Sequence, residues 1–269
     1  MYRQFIEQVL DVASAVARDK FGKVSTQYKE SDPHQVLTEA DTAIGKLLLR
    51  IVREEFPRHS LIDEEAGVID NKSRYTWVID PIDGTSNFAA GLPHYGIMVG
   101  LLEDATPIAG GIALPAFGEI YSAQKGEGAT CNGAPIHVAG NGGVAGRMLC
   151  YGIDADPAHP EVARAECALL AEILLAGPYK LRGSNSAFDI AMVARGRYGA
   201  FLNRTSKIWD NVAPQIIVEE AGGRWTAFDG TPIDYSSAVT QAERNFTHCG
   251  ASQAVFHHIQ TIIRRTRSA

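Results

Sequence analysis

The acidic residues of this chain stand at the ends of its apolar runs rather than along helix faces, and that placement constrains the fold most. Trp77-Val78-Ile79 reads as a buried strand that stops at Asp80-Pro81, with Asp83-Gly84-Thr85 in the turn beyond. Leu61-Ile62 reads as a short strand running into Asp63-Glu64-Glu65. Asp210 stands where a strand-like Lys207-Ile208-Trp209 passes into a helix carrying Ala213, Ile216, Ile217 and Ala221. The carboxyl ends of strands are where α/β folds build their sites. Carboxylates gathered in a cleft repel one another unless cations neutralise them, and hard oxygen ligands suit Mg²⁺ or Ca²⁺ rather than zinc. No histidine falls within these segments, which argues further against zinc. Each acid also has a local reading. Asp210 alone is a helix N-cap, Asp41 alone completes a capping box with Thr38, Asp83-Gly84 is a turn dipeptide, and Glu64-Glu65 is a solvated pair.

The remaining pattern is that of a layered α/β chain. Residues 2–21 place Phe5, Ile6, Val9, Val12, Val16 and Ala17 at helical spacing, and Gly22 stops the run. A polar loop through Asp32-Pro33 leads to Thr38-Glu39-Ala40-Asp41, the capping box of a second helix with Ile44, Leu47, Leu48, Ile51 and Val52, ending before Pro57. Ile97–Leu102, Ile108–Leu114, Ile120–Ala123 and Ile136–Val138 are short apolar runs separated by turns such as Lys125-Gly126 and Asn132-Gly133, the mark of antiparallel strands. The glycine-rich Gly140–Gly146 reads as a joint between an N-terminal half, 1–142, and a C-terminal half, 143–269, within one compact unit. In the second half, strands near 147–151, 179–181, 199–202 and 224–227 alternate with helices near 159–175, 186–195, 210–221 and 252–265.

Composition excludes several function classes. The chain of 269 residues carries 25 Lys plus Arg against 31 Asp plus Glu, a formal charge of −6. That balance offers no basic field for nucleic acid or an anionic membrane. Its longest apolar stretches, near Ile97–Leu102 and Ala168–Gly177, fall well short of the ~20 residues of a membrane span. Arg3, Gln4, Glu7 and Gln8 interrupt the first ten residues where a signal peptide would be apolar, so a cytoplasmic protein is expected. Cys131, Cys150, Cys167 and Cys249 form no CxxC pair and read as reduced, mostly buried thiols.

One rival motif fails on its spacing. Aspartate-nucleophile phosphatases carry D-x-D-G-T, but the position two before Asp83 is Pro81, so the nucleophile is missing. Instead, Trp77 to Phe88, reading W-V-I-D-P-I-D-G-T-S-N-F, resembles the signature of the inositol monophosphatase family. Trp209-Asp210-Asn211-Val212-Ala213 through Glu219-Glu220-Ala221-Gly222-Gly223 is similar to the family's second signature. Ile62-Asp63-Glu64-Glu65 resembles its G-E-E segment, Leu37-Thr38-Glu39-Ala40-Asp41 its T-x-x-D, and Gly126-Glu127-Gly128-Ala129 with Asn132-Gly133 also fits. The matches run in the family's order over residues 37–225.

The resemblance implies a five-layer αβαβα sandwich of the inositol monophosphatase and fructose-1,6-bisphosphatase type. It implies lithium-sensitive, Mg²⁺-dependent hydrolysis of a small phosphate monoester, inositol 1-phosphate first, by activated water and without a covalent intermediate. Two or three Mg²⁺ would be held by Glu64, Asp80, the carbonyl of Ile82, Asp83 and Asp210. Asp41, Thr85 and Glu64 would be catalytic, the first two orienting and deprotonating the water. Asp83, Gly84, Thr85, Ser186, Ala187, Asn203 and Asp210 would face the substrate, and the protein would be a homodimer. Two departures bear on the substrate. Asn185-Ser186-Ala187 stands where the family has G-[ST]-A, and Asn is tolerated at a left-handed position. Asn203 replaces a Glu that accepts a sugar hydroxyl, which opens histidinol phosphate, a sugar phosphate or fructose 1,6-bisphosphate as alternatives. The Asp32–Gln35 loop reads as longer than the family's and leaves Lys29 without an assigned substrate role. Gly45 is unusual within a helix. A regulatory role through protein contacts on the same fold, as some bacterial relatives have, is the alternative from another class.

Overall fold

A computed structural model describes residues 1–269 except 24, 25, 30, 31, 141, 154–157 and 269; of 26–29, 32–36, 267 and 268 it describes the backbone alone. Helix α1 (Tyr2–Lys20) turns Ile6, Val9, Leu10, Ala13 and Ala17 to the core, and Gly22 follows with φ of 73°. Next come β1 (Thr26–Lys29) and β2 (Asp32–Thr38), an antiparallel pair. The expected polar loop through Asp32-Pro33 is therefore a strand, and the side chain of Lys29 lies outside the described residues. Helix α2 (Glu39–Glu55) starts at the expected capping box: Thr38 Oγ1 accepts from the Ala40 amide, and the Thr38 amide donates to Asp41 Oδ2 at 2.9 Å.

The first large sheet follows, built from β3 (Ser60–Asp63), β4 (Gly67–Ile69), β5 (Tyr75–Asp83), β6 (Gly96–Glu103), β7 (Thr106–Leu114), β8 (Glu119–Gln124), β9 (Ala129–Cys131) and β10 (Ala134–Pro135), with the short α3 (Thr85–Ala89) after β5. Its strand order is β10-β9-β8-β7-β6-β5-β3-β4, antiparallel throughout except for the parallel β3–β5 pair. Two sequence expectations are corrected here. β5 does not stop at Asp80-Pro81: it continues to Asp83, because a bulge absorbs the proline, which cannot donate to the ladder. Ile136–Val138 is not a strand; the Val138 amide instead donates to the Ala221 carbonyl at 3.0 Å.

The second sheet uses β11 (Met148–Gly152), β12 (Lys180–Arg182), β13 (Ala200–Asn203), β14 (Gly223–Thr226) and β15 (His248–Ser252), in the order β12-β11-β13-β15-β14. β11 pairs in parallel with β12 and β13, whereas β15 runs antiparallel between β13 and β14. Four helices complete this part: α4 (Pro160–Leu175), α5 (Ala187–Ala194), α6 (Val212–Glu220) and α7 (Gln253–Ser268). Lys207-Ile208-Trp209 is a turn before α6 rather than a strand.

The layers follow from which faces are apolar. α1 and α2 cover one face of the large sheet, where Ile6, Leu10, Ile44 and Leu48 join Trp77, Ile79 and Val99 in one core. α5 and α6 form the middle layer, in which Ile190, Ala213, Ile216 and Ile217 pack with Met98 and Ile112 of the large sheet and with Phe201 and Trp225 of the small one. α4 and α7 close the far side through Leu169, Ile173, Val255 and Ile259. The result is the αβαβα sandwich. No helix among the described residues is long and apolar enough to cross a membrane.

Gly45, odd in the sequence, has a packing reason. A Cβ there would lie 3.2 Å from Pro81 Cγ and 3.3 Å from Asp63 Oδ2. Asp63 is fixed, since its Oδ1 accepts from the amides of Glu65 and Ala66 at 3.0 and 2.8 Å. Gly45→Ala, which at an open helix site gains about 1 kcal/mol, is thus expected to lower the urea midpoint. A raised midpoint would show that helix propensity outweighs this contact.

Candidate active site

In a regular strand, residues three apart point to opposite faces, so Asp80 and Asp83 of β5 would be separated by the sheet. The bulge between them removes that separation, and Asp210 reaches the same point from the turn ahead of α6. Ligand oxygens of Asp80, Asp83 and Asp210 lie within 4.8 Å of one another. Asp80 is 1% exposed, and among the described residues Asp80 Oδ1 and Asp83 Oδ2 have no hydrogen-bond partner. Burial first, and then the neighbouring carboxylates Glu64, Asp83, Asp210 and Asp41, push Asp80 well above the usual carboxylate range. Burial, Asp210 and Glu64 do the same to Asp83. Glu64, directly after β3, thus acts on both acids by its charge, while the group within 4.8 Å holds the three aspartates.

Beside the triad, Asp41 and Thr85 meet. Thr85 Oγ1 stands 3.1 Å from Asp41 Oδ1 and 2.7 Å from the carbonyl oxygen of Ile82, its two acceptors. Asp41 does keep its capping bonds, with Thr38 Oγ1 donating to Oδ2 at 2.5 Å. One carboxylate therefore serves the helix through one oxygen and Thr85 through the other. Burial raises its pKa despite those bonds. Gly84 takes φ of 86°, and a Cβ there would fall 2.9 Å from the His94 carbonyl and 3.1 Å from Ser186 Cβ. This left-handed residue lets the β5–α3 turn approach the start of α5.

The second sheet contributes from α5 and β13. The Ala187 amide, at the start of α5, favours the charged form of the Asp83 carboxylate and partly offsets its burial. Ser186, buried, donates to Asp189 Oδ2 at 3.1 Å, and Ser184 donates to the same oxygen at 2.8 Å. Asn203, at the end of β13, accepts through Oδ1 from the Thr205 amide at 2.8 Å and Thr205 Oγ1 at 3.1 Å. Its buried Nδ2 has no partner among the described residues. Asn185 does not take the left-handed backbone expected of it; Ser186 instead enters α5 from an extended conformation. Sequence reasoning missed Asp189, whose only signal was an acid in the first turn of an otherwise apolar helix. It also missed Asn211, a buried polar residue inside the second signature.

The profile of the inositol monophosphatase family matches residues 2–260. This chain belongs to the inositol monophosphatase family. Among its relatives, "Fructose-1,6-bisphosphatase/inositol-1-monophosphatase" of Aquifex aeolicus is 31% identical over 229 residues, covering 83% of this chain and 84% of that protein. "Nus factor SuhB" of Xylella fastidiosa is 33% identical over 193 residues, covering 72% and 69%. The solved inositol monophosphatase from Anabaena (Nostoc) sp. PCC 7120 superimposes with a TM-score of 0.83 at 28% identity, over 98% of this chain and 95% of that one.

The donor set of this family member fits a hard cation. Three carboxylates, two buried oxygens without partners and no histidine among them are suited to Mg²⁺ or Ca²⁺ rather than zinc. Like charges held this close destabilise the fold once ionised. Because the folded pKa values of Asp80 and Asp83 are raised, metal-free stability is intact below the unfolded carboxylate range. It is lost as pH rises through the folded values. A divalent cation reverses that loss, so the Mg²⁺-induced rise in Tm should be larger at pH 7.5 than at pH 5. Differential scanning calorimetry with and without Mg²⁺ checks this; an equal rise at both pH values would contradict it.

Proposed function

We propose that this protein is a Mg²⁺-dependent phosphatase of small phosphate monoesters, with inositol 1-phosphate the first substrate to try. The observation that carries the reading is the convergence of Asp80, Asp83 and Asp210 beside the Asp41–Thr85 pair. Asp80, Asp83 and Asp210, with Glu64 and the Ile82 carbonyl, would hold two or three Mg²⁺. When bound, the cations neutralise the phosphate dianion and make a water acidic enough to attack near neutral pH.

The chain's own groups do the rest. The Thr85 hydroxyl takes a proton from the attacking water as it passes its own to Asp41 Oδ1, and burial makes Asp41 the better base. Glu64 holds a negative charge next to the triad. The amides of Gly84 and Thr85 receive phosphate oxygens, and Gly84 allows the close approach. Ser186, Ala187 and Asn203 face the alcohol side. With Oδ1 of Asn203 engaged by Thr205, this residue offers its amide hydrogens to a hydroxyl or phosphoryl oxygen. That supports retaining histidinol phosphate, sugar phosphates and fructose 1,6-bisphosphate as alternatives. In this reading residues 1–142 supply most of the metal-binding groups, 143–269 supply Asp210 and the alcohol side, and the protein is a cytoplasmic homodimer.

The relatives named Nus factor SuhB support a second reading, in which the fold acts through protein contacts. Such a role needs none of Asp80, Asp83 and Asp210, and their convergence favours catalysis. Purified protein with Mg²⁺ should release phosphate from at least one of inositol 1-phosphate, histidinol phosphate, fructose 1,6-bisphosphate and 2′-AMP. Asp83→Asn should lower the rate by about 100-fold or more, since it removes charge from the cation site. Release from none of the four would favour the second reading.

A further inference from the structure

Asp210 comes from a turn, not from a strand or helix, yet it must meet two aspartates of the other sheet. Its Oδ2 accepts from the Lys207 amide at 2.6 Å, and its own amide donates to the Lys207 carbonyl at 3.2 Å. The Lys207 peptide units therefore set where the carboxylate stands. Something must in turn hold Lys207.

That hold is the side chain of Asn211, which is fully buried. Its Nδ2 donates to the Lys207 carbonyl at 2.6 Å and to Ser206 Oγ at 2.9 Å, and its Oδ1 accepts from Trp225 Nε1 at 3.0 Å. Asn211 occupies the N-cap position of α6 but makes no side-chain capping bond there. The amide reaches back to the Asp210 turn rather than forward into the helix, so capping does not account for it. Trp225 is itself fixed from behind. A Cβ at Gly250 of the neighbouring β15 would fall 2.4 Å from two indole ring atoms, and the His248 ring packs on the indole with centroids 4.6 Å apart. Rigid sheet, indole, Asn211, Lys207 and Asp210 thus form one unbroken chain of contacts.

We propose that Asn211 is the positioning residue for Asp210, and that cation affinity at the carboxylate triad is set in part by this buried amide and the Trp225 indole behind it. The proposal rests on the metal-binding reading above. Groups that orient metal ligands from behind change affinity by about 10- to 100-fold when removed.

The test measures Mg²⁺ binding by isothermal titration calorimetry on the full chain, together with the Tm of each metal-free variant. Asn211→Ala should weaken Mg²⁺ binding by about 10-fold or more. Trp225→Phe keeps an aromatic ring at this site, loses the Nε1–H donor, and should weaken binding by about threefold or more. In an Asp210→Asn background, Asn211→Ala should change affinity by less than about twofold, because the group it positions is gone. A purely structural role would lower Tm and leave the affinity of the folded protein unchanged. If Asn211→Ala does not fold, Trp225→Phe decides. Affinity within about twofold of the parent in folded Asn211→Ala or, failing that, in Trp225→Phe overturns the proposal. A parent protein that binds no Mg²⁺ overturns the metal-binding reading as well.

Discussion

Mutual repulsion among closely spaced, largely enclosed carboxylates is the constraint on which the rest of this structure depends. Asp80 and Asp83 are held in a low-dielectric pocket with Asp210 close by, and ordinary folding forces would drive such groups apart or leave them protonated. Several local devices oppose that tendency. The β5 bulge turns Asp80 and Asp83 the same way, the Ala187 amide favours the charged form of Asp83, and the Lys207 amide donates to Asp210. Glycine at position 84 lets the β5–α3 turn meet the start of α5. A cation bound among the three aspartates would turn this arrangement into a favourable one.

The five layers are arranged around the same need. β5 lies within the large sheet, whereas Asp210 and the α5 terminus belong to elements that join the middle helical layer to the small sheet. Asp210 reaches the two β5 carboxylates because α6 packs against both sheets at once, through residues such as Ala213 and Ile216. Fold stability and the placement of Asp210 are therefore carried by the same helices. This also explains why so much of the positioning comes from buried polar groups, such as Asp63, Asp189 and Asn211, that touch backbone or other side chains rather than solvent.

Much of this was legible in the sequence, for identifiable reasons. The α1 and α2 helices announced themselves by periodicity and by the Thr38–Asp41 box, and β3, β5, β6, β7 and β8 of the large sheet by apolar runs between turn residues, whereas the short β4, β9 and β10 carried no such run. The acids could be picked out because each followed an apolar run. Other features were not legible because they depend on tertiary contact. Pro81 signalled the end of a strand, but a bulge lets β5 continue through it. β15, reading His-Cys-Gly-Ala-Ser, carries no β-branched residue and is a strand only because β13 and β14 flank it. Asp32-Pro33 signalled a loop, yet pairing with β1 makes it strand. Asn211 and Asp189 gave no local signal of what they hold, since their partners lie in other segments. Gly45 was visible as an anomaly, and its reason, the room needed by Asp63 and Pro81, was not.

The central claim is that Asp80, Asp83 and Asp210 together form a divalent-cation site. It is tested most directly by anomalous diffraction from crystals of this protein grown with Mn²⁺. The account predicts an anomalous peak with oxygens of all three aspartates at roughly 2.0–2.6 Å, the range of hard-cation bonds. Well-ordered aspartates with no peak among them, or a peak bound by other residues alone, would contradict it.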